Sequence, residues 1–280
     1  LFTGGYLKLR NLLICTWYTI LDELHHKSFY VLTIIAIGFT WLLKGCFTGN
    51  YTVNGEQINK VTIGWNASLI GFNIIAFGGV LTAILLSMRA FLRDRDDGSA
   101  VMILSKPVNR MEYLVSKVIG LWILSYGLIF ILHTSVYIIM LINTGGGIVW
   151  YYPASLILSL NMLAIICIVM LCTLFLPDVL SAILGIVIAV GSLIIDLVYS
   201  ASQTEIAQNI MRQVDTTERS ASWVWVAWPK ISALQLYATS LIKQSDFHAL
   251  GPLHPVVNIL IYIVISFVIT AVVFNRRDVI

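Results

Sequence analysis

Long apolar runs broken by short polar segments dominate the pattern of this chain. Runs at about 29–47, 67–88, 113–142, 150–176, 179–199 and 255–274 are each long enough to cross a bilayer as a helix. The pattern therefore predicts six membrane spans. Breakers separate them. Asn54-Gly55 marks a turn or hairpin after the first span, Asn143 to Gly147 (NTGGG) a tight turn after the third, and Pro177-Asp178 ends the fourth.

Two segments depart from this monotony near the ends. In residues 6–27, Leu13, Trp17, Ile20, Leu21 and Leu24 recur on one helical face, with Arg10, Asp22, Glu23, His25 and Lys27 marking the polar parts. That spacing predicts an amphipathic helix lying on the membrane surface. The competing reading is a soluble helix packed on a partner domain. Residues 201–252 are a long polar insertion before the last span. Ile206, Ile210 and Val214 define one helical stripe, Leu234, Tyr237 and Leu241 a second, and Trp223, Trp225 and Trp228 crowd between them as an interfacial aromatic cluster.

Composition supports the membrane reading. Of 280 residues, 59% are hydrophobic and 11% charged, under half the roughly 25% typical of soluble domains. The first span lacks the short apolar core and small-residue cleavage site of a signal peptide. The chain opens on Leu1, so its numbering is expected to start inside the gene product. The expected fold class is an all-α integral membrane protein, residues 1–280 forming a single transmembrane domain.

Charge sets the expected orientation. Six spans put both termini on one side. Eleven basic residues fall on that side, in the two ends and in the stretch 87–120. Six fall on the other. The excess places the termini and loop 89–112 in the cytoplasm and 201–252 outside. The alternative, with 201–252 inside, stays open because long loops obey the charge rule weakly.

The spans hold little chemistry. Asp196 and Lys44 are the charges within apolar runs, both near the outer ends, and His133 is the one histidine deep in a span. A lone histidine there is a hydrogen-bonded packing residue more often than a ligand. Asn73 and Asn161 are intramembrane amides suited to bonds between helices, with a substrate pathway as the alternative role. The four cysteines lack disulfide or metal spacing, and no nucleotide-binding, hydrolase or zinc-protease motif is present. Neither an enzyme nor a resident metal or cofactor is expected. Without an internal energy source, the chain is moved by a partner or serves as a static scaffold.

The strongly charged interruption between the second and third spans decides what kind of partner. It reads SMRAFLRDRDDGSAVMILSKPVNRMEYLVSKVIG over residues 87–120. Asp94, Asp96 and Asp97 suit the positive end of a short helix that continues through Ala100, Val101, Met102, Ile103 and Leu104. Lys106-Pro107 would end it. Asn109, with Glu112 three residues on, has the pattern of a capping box opening the third span. A short helix rigidly joined to two spans would pass force into both. A plain solvated hairpin fits the same residues.

This segment resembles the loop of type-2 ABC transporter permeases, the membrane subunits of ABC exporters. In that family a charged E-R-E-x-G-like segment runs into an apolar stretch, then S-x-P-x-x-R, then a lysine early in span 3. Arg93, Asp94, Arg95, Gly98, Leu104, Ser105, Pro107, Arg110 and Lys117 match. Asp94 and Asp96 stand where glutamate is more usual, keeping charge and shortening reach. The whole chain is similar in outline, especially to the branch that includes copper-enzyme-maturation permeases.

The resemblance implies a permease that hydrolyses nothing itself. ATP and magnesium would be used by separate cytoplasmic ATPase subunits, and a second permease copy or homologue would complete the transporter. Residues 94–104 would be the coupling helix in the cytoplasmic loop. Arg93, Asp94, Arg95, Asp97, Gly98, Val101, Met102, Ile103, Leu104, Pro107 and Arg110 would form the ATPase contact. The setting would be the cytoplasmic membrane of a bacterium or archaeon, with transport outward. A membrane anchor or signalling subunit of a larger complex is the alternative function.

Overall fold

The computed structural model describes residues 3–25, 27–48, 52–53, 56–57, 60–91, 109–202, 227–247 and 253–276. Eight helices account for nearly all of them: α1 (Thr3–His25), α2 (Lys27–Thr48), α3 (Lys60–Ser87), α4 (Arg110–Thr144), α5 (Tyr151–Thr173), α6 (Asp178–Ser202), α7 (Ile231–Lys243) and α8 (Pro255–Arg276). Between α2 and α3, β1 (Thr52–Val53) pairs antiparallel with β2 (Glu56–Gln57), as the Asn54-Gly55 turn signal anticipates.

Among the described residues, five helices are long and apolar enough to cross a membrane: α3, α4, α5, α6 and α8. α2 covers the place of the first expected span. The chain is a multi-pass membrane protein. Its polarity is that of a protein dissolved in lipid, with isoleucines, leucines and valines on the outside of α6 and α8 and Ser125, His133, Ser155, Asn161 and Ser181 inside. The bundle is built around α4 and α5, which are packed on α3 and α8.

Local chemistry sets the helix ends. Asn109 is extended (φ −73°, ψ 145°), and its N–H donates to Glu112 Oε2 at 3.4 Å, one limb of a capping box ahead of α4. α4 stops at Gly145, whose left-handed backbone (φ 69°) lets its N–H reach Leu141 O at 2.9 Å. Its 35 residues span ~52 Å, well beyond the ~30 Å of hydrocarbon.

The expected apolar stripe of the surface helix α1 divides between core and exterior. Ile20 and Leu24 pack on the core, but Leu13 and Trp17 are exposed beside Ile14 and Tyr18. The buried side of α1 is instead Thr16, Thr19 and Glu23. Small residues allow close approach to α4, while lipid takes the apolar side.

Candidate functional site

Two places concentrate interactions that apolar packing alone does not require. The first is the end of the bundle from which loop 92–108 leaves. Ring stacking binds three helix ends here: Phe91, just after α3, lies 5.4 Å from Phe274 of α8, and Tyr113 of α4 lies 6.0 Å from the same ring. All three are buried. Two turns further along α4, a β-carbon at Gly120 would stand 2.9 Å from Thr19 Cβ and 3.3 Å from Thr16 O. Glycine is what lets α1 seat on α4. Glu23 and Lys117 are buried near this seam, and each is partnered.

Of the residues expected to meet an ATPase, Arg110 is the first residue of α4. Arg93, Asp94, Arg95, Asp97, Gly98, Val101, Met102, Ile103, Leu104 and Pro107 lie outside the described residues. The described part is the platform from which that loop springs.

The second place surrounds α7. This 13-residue helix follows an irregular stretch and is wedged among α3, α5, α6 and α8. Buried irregular backbone must find partners inside the protein. Three helices supply them. Lys230 N–H donates to Asn258 Oδ1 of α8 (3.0 Å), Ser232 N–H to Ser192 Oγ of α6 (3.0 Å), and Asn161 Nδ2 of α5 to Ile231 O (2.9 Å). Trp228 Nε1 donates to Ile188 O at 3.3 Å, and its ring lies over Gly191, where a β-carbon would come within 2.8 Å.

Lys230 and Asp196 are both buried and attract one another. Burial holds the Lys230 ammonium below its ordinary pKa, and the Asp196 carboxylate offsets part of that. Further along α7, Gln235 Nε2 donates to both the backbone O and the Oδ1 of Asn73, each at 3.0 Å, and Thr239 Oγ1 reaches Asn73 Oδ1 at 3.1 Å. Asn73 Nδ2 donates to Leu69 O within α3 (2.9 Å), so both ends of the amide are used.

His133 sits apart from α7, between α3 and α5. Its Nε2 faces Phe72 O at 3.3 Å and its Nδ1 faces Ser155 Oγ at 2.7 Å. A carbonyl can only accept, so Nε2 carries the proton and Nδ1 accepts from the serine hydroxyl. The ring stacks on Phe72 (4.4 Å) and meets Tyr151 edge-on (6.0 Å). This neutral, doubly bonded imidazole cross-links three helices. Among the described residues no cluster of His, Cys, Asp or Glu could hold a metal.

The structure thus gathers Asn73, Asn161 and Asp196 around one helix and leaves His133 outside that group. The sequence reading missed Gln235, Thr239, Lys230, Ser192 and Asn258. One signal was available: Gln235 and Thr239, at i and i+4, place two polar side chains on one face of α7. A family model described as ABC-2 family transporter protein matches residues 19–279. No curated protein matches the chain.

Proposed function

We propose, for a chain that belongs to the ABC-2 transporter family, that it is a permease subunit worked by a separate cytoplasmic ATPase through loop 92–108, and that it moves its substrate outward. The permease role follows from the family. The drive and direction are our reading. One observation carries the drive: the loop joins α3 to α4 where Phe91, Tyr113 and Phe274 tie α3, α4 and α8 together. A push on the loop therefore arrives at three helices at once, and at α1 through the Gly120 seam. In this reading residues 94–104 form the coupling helix, seated in a groove of the ATPase. ATP and magnesium act there, and closure of the ATPase dimer rocks two paired permeases. The termini and the loop are cytoplasmic, and α7 stands at the outer exit.

The test is reconstitution with the partner ATPase. Asp97→Lys and Ile103→Asp are expected to lower permease-stimulated ATP hydrolysis several-fold while membrane insertion stays intact. Full stimulation in both variants, or no ATPase recovered with the chain in mild detergent, would overturn the coupling assignment and favour a static anchor.

A further inference from the structure

At the end of the bundle away from loop 92–108, α3 and α7 part around an open cavity of about 410 Å³. Its lining divides by chemistry. Asn66 and Lys243 are exposed at its edge, Asn73 and Thr239 give a polar inner wall, and Leu69, Ile70 and Ile74 give an apolar one. The inner polar groups are committed to each other and to Gln235. The outer ones are not: among the described residues, the Lys243 ammonium makes no hydrogen bond or ion pair, and no carboxylate lines the cavity. Ile70 and Ile74, one turn apart and exposed, carry the apolar wall onto the lipid-facing side of α3.

A cation above, an amide beside it and an aliphatic strip below is a two-part surface. It complements a ligand with an anionic head and a hydrocarbon chain. The volume suits a headgroup and its first methylenes, and the strip continues where the chain would continue. A fully apolar ligand would leave Lys243 without a partner, and a free anion would leave the strip unused.

We propose that this cavity binds an acidic lipid from the leaflet opposite loop 92–108. Lys243 holds the headgroup phosphate, the Asn66 amide donates to it, and the acyl chain runs along Ile70 and Ile74. What then becomes of the lipid rests on the permease reading above, but binding does not require the ATPase, so the two can fail separately.

The test is native mass spectrometry of the full chain in detergent, with phosphatidic acid and phosphatidylcholine of matched acyl chains. We expect one phosphatidic acid retained per chain and little phosphatidylcholine. Lys243→Gln should weaken phosphatidic acid binding about tenfold and Lys243→Arg should keep it. Ile70→Trp, which fills the apolar side, should weaken it too. Equal retention of the two lipids, or unchanged binding in a monodisperse Lys243→Gln protein, would overturn the proposal. Displacement of the lipid by millimolar inorganic phosphate would mark a free-phosphate site and overturn the lipid assignment.

Discussion

Phe91 and Phe274 stack with ring centroids 5.4 Å apart, although 182 residues of chain lie between them. The contact ties the end of α3 to the end of α8 beside the exit of loop 92–108. Phe274→Ala removes a buried ring that also faces Tyr113, and large cavities of this kind cost about 3–5 kcal/mol. We expect a lower unfolding temperature in detergent. In protein that remains folded, we expect a loss of ATPase stimulation larger than any loss of ATPase binding. Phe274→Leu, which keeps most of the volume, should recover stability before it recovers stimulation.

Gly120 sets the distance between α1 and α4. Gly120→Val places bulk against Thr19 and the Thr16 carbonyl, where a single β-carbon is already too close. Overpacking of this kind costs ~1–3 kcal/mol. The expected result is earlier proteolysis of α1 in limited digestion. Adding Thr19→Ala should restore part of the protection. Equal digestion of wild type and Gly120→Val would show that α1 is not seated through this seam.

Asp196 and Lys230 should behave as a pair. Removing one partner of a buried ion pair strands the other charge, at about 3–5 kcal/mol, whereas replacing both by apolar groups is often close to neutral. Asp196→Leu and Lys230→Met are each expected to lower the unfolding temperature, and the double variant to stand above either single one. A double variant that loses the sum of the two single effects would show the charges act independently.

His133 depends on its serine partner. Ser155→Ala leaves Nδ1 buried without a donor, a loss of about 1–3 kcal/mol. His133→Phe with Ser155→Ala keeps the stack on Phe72 and removes both polar groups, so it should be more stable than Ser155→Ala alone. Thermal unfolding of the three proteins decides it.

What could be read from the sequence divides along the range of the interactions. Span positions follow from runs of apolar residues, and the observed α3, α5, α6 and α8 lie close to their expected places. The hairpin needs two adjacent residues, Asn54 and Gly55. The position of α7 needs partners scattered along the chain. Asn161 meets Ile231 across 70 residues and Gln235 meets Asn73 across 162. Nothing local to Asn161 or Asn73 specifies those partners, because an amide in an apolar run signals only that some partner exists. What covers the apolar face of α1 is not fixed locally, for a related reason. Periodicity identifies an apolar side but does not say whether protein or lipid covers it, and for Leu13 and Trp17 it is the outside.

Asn258 has a consequence for the order in which the chain can be completed. A ribosome delivers α3, α5, α6 and α7 before it delivers α8. The sockets offered by Asn73, Asn161 and Ser192 therefore exist when α7 emerges, but the acceptor for Lys230 N–H does not. The same last segment brings Phe274 to Phe91 and Tyr113. One late helix thus supplies contacts at both ends of the bundle, and neither set can form until it has been made.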